Sequence, residues 1–462
     1  MVHLLNTRLK KNLLSAFTLM SAVVSSQAFA TNGYFTHGVT IAEKSMGGAG
    51  AAMPTSSLSV DINPASLVDV GDNLDLLVTL FSPKREYSVT GAPSAPAGTT
   101  CGASCPFSIG DGSQSIESGR NYFILPTIGY SKKINDKSAW GIAMIARGGM
   151  NTEWSGGNAT LAPAGTTVEL PGTYGDGTAS SDLKQLYIKG SYSYSVNNTL
   201  DIGAALMYIY QGLEITGLGN FAGYSSSPQN ISDNGVDYSS GIGIKVGALL
   251  NITDNFHLGF SYQPKVDMSE FSEYSGLLAE GGDFDFPENY VLGLSWNIKN
   301  NHNFVFDIQQ INYSDIASLG NGISPLTTGQ CAPGPSGGTG LGCLGASNGA
   351  GFGWEDMTIY KFGYQIPSGE NLLRFGYSYT DQPIPESETL FNILAPAVIE
   401  QHFTAGYSMK SADNKGWEFS FTYALGEAVK GRNPFDSGPD GVSGQEIELD
   451  MDQWEFSAGY SF

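Results

Sequence analysis

The sequence predicts an all-β protein, a transmembrane antiparallel β-barrel of 14 strands with an N-terminal hatch, or plug, inside its lumen. Three observations predict it: long segments in which apolar and small or polar residues alternate, a composition poor in charge, and an export signal. Charged residues make up 14% of the 462 residues, against about 25% in a soluble globular protein. The 60 Gly, 23 Tyr and 24 Phe exclude a disordered chain, which needs high charge and few aromatics. The formal charge of −22 repels phosphate backbones, so no nucleic-acid partner is expected.

Residues 1–30 read as a cleaved signal peptide. Arg8, Lys10 and Lys11 precede the apolar stretch Leu13–Val24, and Ala28-Phe29-Ala30 supplies a small-x-small cleavage site. The apolar stretch is 12 residues long, short of the roughly 20 that span a bilayer as a helix. Residues 31–72 lack the period-two rhythm and are rich in small residues. They read either as a disordered leader or as a plug folded back into the lumen, and the plug, or hatch, is favoured because a cylinder of this many strands leaves a lumen wide enough to leak unless filled.

Residues 73–462 form the expected barrel. Trp454, Phe456, Ala458, Tyr460 and Phe462 alternate with Gln453, Glu455, Ser457, Gly459 and Ser461; Leu292, Leu294, Trp296 and Ile298 alternate with Gly293, Ser295 and Asn297. A soluble sandwich gives the same alternation. The polar face here, however, carries Gly and Ser instead of Lys and Glu, and Tyr and Trp recur near strand ends, as they do in interfacial girdles. Lipid offers no hydrogen bonds, so such a sheet has to close on itself. The predicted strands are 73–90, 119–133, 138–154, 182–197, 199–217, 239–253, 255–271, 284–299, 302–315, 354–367, 370–382, 399–411, 415–430 and 449–462, the last closing against the first. Short turns such as Val196-Asn197-Asn198-Thr199 alternate with long loops at 91–118, 155–181, 218–238, 316–353, 383–398 and 431–448, which are expected outside the cell.

The four cysteines form two local pairs, Cys101/Cys105 and Cys331/Cys343, which read as loop-closing disulfides in an exported protein. A four-cysteine zinc site competes with that reading, but the spacings do not match finger patterns. Gly345-Ala346-Ser347-Asn348-Gly349 matches a hydrolase nucleophile elbow in letters only. It sits in a Gly-rich loop with no strand before it or helix after it. No catalytic residue, metal site or cofactor is expected. The acidic loop with Asp436 and Asp440 reads as solvated charge.

Several short motifs fall in a consistent order: Lys44-Ser45-Met46-Gly47-Gly48-Ala49-Gly50, Asn63-Pro64-Ala65, Trp140-Gly141-Ile142-Ala143, Gly353-Trp354-Glu355-Asp356 and Phe375-Gly376-Tyr377-Ser378-Tyr379 followed by Pro383-Ile384-Pro385. On these the chain resembles the FadL/TodX family of outer-membrane transporters for long-chain fatty acids and other hydrophobic compounds. The resemblance implies a hatch carrying the motif Asn63, Pro64 and Ala65, and a third strand kinked inward at Gly148 and Gly149 to leave a gap in the wall. Glycine inside a strand is compatible with such a bend.

The family's fatty-acid members hold the substrate carboxylate with basic residues in the lumen, where Tyr210 and Glu355 align here. An acid at such a place repels a carboxylate. Either Arg147, Lys361 or Arg374 substitutes, or the ligand is uncharged, and the reading leans to a neutral or weakly polar ligand. The implied function is passive uptake of hydrophobic small molecules. Exposed apolar loop residues such as Phe391-Asn392-Ile393-Leu394-Ala395 and Leu277-Leu278-Ala279 would capture the ligand, which would leave laterally into the membrane. Expected partners are the hydrophobic ligand, outer-membrane lipid and lipopolysaccharide, with the barrel a monomer that is no enzyme. A general diffusion porin, or an outer-membrane lipid or ester hydrolase, is the alternative.

Overall fold

The structure is a computed structural model that describes residues 32–101, 106–162, 165–299, 302–410, 415–436 and 444–462. The expected signal peptide, the partner Cys105 and Asp440 lie outside the described residues. The wall is built from fourteen strands: β1 (Asn73–Thr90), β2 (Phe123–Asn135), β3 (Ser138–Trp154), β4 (Ala179–Asn197), β5 (Leu200–Thr216), β6 (Asp237–Thr253), β7 (Phe256–Gln263), β8 (Asn289–Lys299), β9 (His302–Ile311), β10 (Met357–Ser368), β11 (Asn371–Tyr379), β12 (Ile399–Lys410), β13 (Gly416–Gly426) and β14 (Glu446–Ser461). Each pairs antiparallel with its neighbours in sequence, and β14 closes on β1 from Asp75↔Ser461 to Thr90↔Glu446. Closing the last strand on the first removes the two end edges of the sheet, which is how a sheet satisfies its backbone in lipid.

The alternation sorts as a barrel in lipid requires. In β6, Ile242, Ile244 and Val246 are exposed on the outer face while Gly243, Lys245 and Gly247 point inward and are buried. No helix among the described residues is long and apolar enough to cross a membrane. Tight turns lie at one end. At Asn197, for example, the side chain accepts from the amides of Thr199 (2.8 Å) and Leu200 (3.0 Å).

Two strand ends differ from expectation for a local reason. The strand expected over 255–271 leaves the wall after Gln263, because Pro264 has no amide to donate to the ladder. The segment 264–288 becomes one more long loop, in which Val266 bridges Phe286 and Met268 folds back on Gly241. The strand expected over 302–315 stops at Ile311 and turns into a short helical turn, Tyr313–Asp315. Every strand connection at the loop end is then long. The loops pack into a shared apolar core, and Cys331–Cys343 is a disulfide within it.

Candidate functional site

The N-terminal segment, residues 32–72, lies almost wholly buried against the inward face of the wall. Its short helix Ile41–Ser45 is capped by Thr40, whose hydroxyl accepts from the Glu43 amide at 3.0 Å, while the Glu43 carboxylate accepts from the Val39 and Thr40 amides. Backbone fits this closely only where the wall has no side chain. A Cβ at Gly203 (β5) would sit 2.3 Å from the Pro64 carbonyl, one at Gly259 (β7) 2.1 Å from the Ala51 oxygen, and one at Gly376 (β11) 2.1 Å from the Gly47 nitrogen. Such separations lie far inside van der Waals contact, so these wall positions are closed to any larger residue.

Polar inward residues then fix the segment. Asp307 accepts from the amides of Gly50 (2.8 Å) and Ala51 (2.9 Å), Asp75 from that of Ser57 (2.7 Å), and Lys44 pairs with Glu455 at 2.7 Å. The expected motif residues are among these anchors. Asn63 donates to the carbonyls of Ala51 (2.8 Å) and Ala248 (3.1 Å) and accepts from the Ala65 amide (3.0 Å), which starts the turn at Pro64.

Asp61 draws a cluster of cations from the wall. Lys189 reaches its carboxylate at 2.7 Å, Arg147 bonds the other oxygen, and Lys245 donates to its backbone carbonyl at 2.7 Å. Arg147 also lies over the Tyr187 ring, 4.6 Å from its centroid. Burial pushes the Asp61 carboxyl up, but Arg147, Lys189 and Lys245 outweigh it and hold the group ionised, well below the usual carboxylate range. Burial raises Glu43 to about 7 against the opposing pull of its two amide bonds.

Above this cluster the wall is interrupted. The β2–β3 ladder runs from Asn135↔Ser138 to Thr127↔Ile145 and ends there. Phe123–Pro126 keep pairing with β1, and Ala146–Trp154 keep pairing with β4 except at a bulge between Gly148 and Asn151. The Asn151 side chain bonds Asp182, which also binds Arg120 and Lys184 and so pins the bulge. At the loop end the segment 115–119 crosses from β1 to β3: the Ser118 amide donates to the Arg85 carbonyl at 2.9 Å and the Gly119 amide to that of Glu153 at 2.8 Å. Between these limits Arg85 of β1, 3% exposed, reaches across and donates to the Asn151 carbonyl at 2.8 Å.

The loop core covers the interior side of this interruption. Trp154 donates its indole N–H to the Ile393 carbonyl (2.9 Å), Thr152 donates to Leu394 (2.8 Å), and Trp354 donates to Asn392 Oδ1 (2.7 Å). Beneath it Tyr34 and Phe35 pack among Phe284, Phe286, Tyr313 and Trp354. The loop segments expected to be exposed are therefore buried: Phe391 is 5% and Leu278 3% accessible.

The expected site residues divide. Asn63, Pro64, Ala65 and Arg147 are all buried inside the barrel, Arg147 bonded to Asp61, and Gly148 and Gly149 stand at the bulge. Tyr210 does not join them. It lies on the outer face in phase with Leu206 and Tyr208 and stacks on Tyr238, so it faces lipid. Glu355 is exposed at the loop end, its amide bonded to Pro383. Lys361 is used on the segment 32–72, donating to the His37 carbonyl at 3.0 Å, and Arg374 is spent on Gln365, Ser408 and Glu418. Asp436 accepts from Ser94 and Gln445, and no cluster that could hold a metal exists among the described residues. Arg85 escaped the sequence reading, although its odd-numbered phase with Asp75 and Thr79 marks it as an inward charge.

A closed fourteen-stranded barrel with lipid-facing alternation and a filled interior has the architecture of an outer-membrane β-barrel protein. The chain belongs to the outer membrane protein transport protein family (OMPP1/FadL/TodX), whose model matches residues 19–462. Among curated proteins nothing matches the chain. Among solved structures it is similar to a Pseudomonas aeruginosa FadL homologue, at 14% identity and a TM-score of 0.60 over 94% of this chain and 99% of that one. It is likewise similar to the P. putida toluene transporter TodX, at 17% identity and a TM-score of 0.58 over 92% and 98%. The CymD monoaromatic hydrocarbon channel aligns at 17% identity and a TM-score of 0.53 over 94% and 99%. At these identities the likeness is one of fold. The family and these neighbours are transporters and channels, not enzymes, and they support outer-membrane uptake of hydrophobic compounds.

Proposed function

We propose that this chain is a passive outer-membrane channel that passes hydrophobic small molecules from the loop side into the lumen and releases them sideways through the interrupted β2–β3 seam. Residues 32–72 serve as the hatch that blocks the axial route, and residues 1–30 as the export signal. The observation that carries the reading is the seam itself, where two neighbouring strands part and each keeps its other partner. Release into lipid keeps an apolar ligand out of water, worth about 25 cal/mol per Å² of apolar surface. Passage down this gradient needs no energy source.

The test removes the bulge. Deleting Gly149 takes out the one extra residue between Gly148↔Lys184 and Asn151↔Asp182 and restores a regular register. Uptake of a labelled hydrocarbon or fatty acid by cells expressing the deletion is expected to fall at least about ten-fold with the barrel still folded. Unchanged uptake overturns the lateral route, and large steady ion currents through the unaltered protein in planar bilayers overturn the plugged channel in favour of a porin.

A further inference from the structure

We infer that the charged chamber between the segment 32–72 and the wall is a binding site for one small inorganic anion of halide size, which locks that segment in its seat whatever route the transported molecule takes.

The chamber has room of about 30 Å³, where about 10–15 Å³ holds one water. That is space for a monatomic ion or a pair of waters, and none for the chain of a lipid. Four cations line it, Arg147 (β3), Lys189 (β4), Lys245 (β6) and Lys361 (β10), against the carboxylates of Asp61 and Glu43. All four cations are buried. The Asp61 carboxylate is taken by Arg147 and Lys189. Lys245 donates to the Asp61 backbone carbonyl at 2.7 Å, and Lys361 to the His37 carbonyl (3.0 Å) and Gln309 Oε1 (2.7 Å). Neither lysine has a carboxylate within ion-pairing distance among the described residues. Even with Asp307, whose charge also acts on Lys361, positive charge stays in excess. A surplus charge buried at low dielectric is costly until a counter-ion joins it.

Unmet donors stand on the same chamber. Gln263 Nε2, Asn289 Nδ2 and Arg147 Nε are buried and have no hydrogen-bond partner among the described residues. Gln263 and Asn289 are directly opposite each other in the β7–β8 ladder, so their amides stand side by side on the inward face. The unpartnered Glu43 Oε1 becomes a donor when its carboxyl, raised to about 7 by burial, carries a proton. A pair of waters would answer the donors and leave the surplus charge, whereas a halide answers both. His37, Glu43 and Asp61 bound the chamber on one side and the strands on the other. An anion between them offsets the repulsion among the wall cations that Asp61 alone leaves, and so holds the segment to the wall.

The experiment uses the purified full-length protein in detergent, at one pH and one ionic strength, in sodium chloride, bromide or gluconate, with circular dichroism reporting the barrel. Gluconate is too large for the chamber. Amide exchange over residues 39–50 is expected to be about ten-fold slower in chloride or bromide than in gluconate, the linkage for an anion at about ten times its dissociation constant. Crystals grown in bromide are expected to show anomalous density beside Lys245, Gln263 and Asn289. Gln263→Glu brings a fixed carboxylate to the chamber, so its exchange is expected to be slow in all the salts. Equal exchange of the unaltered protein in all of them overturns the assignment, as does water alone in the chamber of the bromide crystals, or a halide effect that survives undiminished in Gln263→Glu. If that variant fails to fold, the bromide density of the unaltered protein decides by itself.

Discussion

Two seams of the same wall are closed in different ways. Between β14 and β1 the ladder is continuous from Asp75 to Thr90, joined by backbone hydrogen bonds and by the side-chain pairs Thr79–Ser457 and Ser461–Asp75. Between β2 and β3 the ladder stops at Thr127↔Ile145, and what spans the rest is a side chain, Arg85, and a crossing loop segment at 115–119. A continuous ladder opens only at the cost of many bonds together, whereas the β2–β3 seam is spanned by one side chain and a few loop bonds. The difference locates the compliant part of an otherwise stiff cylinder.

The comparison can be broken or sharpened by experiment. The largest effect is expected from Gly203→Leu, whose side chain needs the space held by the Pro64 backbone. On the reading that residues 32–72 plug the lumen, displacing them opens an axial leak, read as steady conductance in planar bilayers. Gly190→Leu, at a position with nothing within 4 Å of a Cβ, stays silent. Leak without a change in lateral uptake separates the two routes.

Asp61→Asn comes next. It strands Arg147, Lys189 and Lys245 without their buried counter-charge, a loss of about 3 kcal/mol. Because Arg147 sits in β3 beside the interruption, hydrogen exchange at Ala146–Asn151 is expected to quicken while the β14–β1 amides stay protected. Equal changes in both seams contradict the distinction.

Glu43 gives a smaller effect with a defined sign. Its carboxyl rises from an ordinary 4.5 to about 7 in the fold, so its contribution is full below pH 4.5 and is lost as pH rises through 7, at about 1.4 kcal/mol per pH unit or less. Protection of residues 39–50, corrected for intrinsic exchange, falls over that window, and Glu43→Gln flattens the dependence. Smallest of all is Tyr210→Phe, which removes a hydroxyl from the lipid face and leaves ligand uptake as it was.

Much of the wall was legible because a period of two is a local property. β1 and β3 run over the residues expected, and closure of the last strand on the first is as read. The overlong β7 shows the limit: Val266 and Met268 continue the alternation after the chain has left the sheet, and only Pro264 signals the departure. The alternation also held the cue for Tyr210, which shares its phase with Ile202, Leu206 and Tyr208 and therefore points to lipid. The inward glycines were visible as a small-residue face. Their reason was not, because the segment that fills their space lies far away in sequence and has no period of its own. Arg85 was hidden for the same cause, since its partner Asn151 is 66 positions on.

The indoles of Trp154 and Trp354 are both buried, and both hydrogen-bond to the short stretch Asn392–Ile393 that roofs the seam from inside. Any molecule lodging there disturbs one or both of these rings. The native emission of the protein thus carries a built-in optical signal of occupancy, readable without a dye.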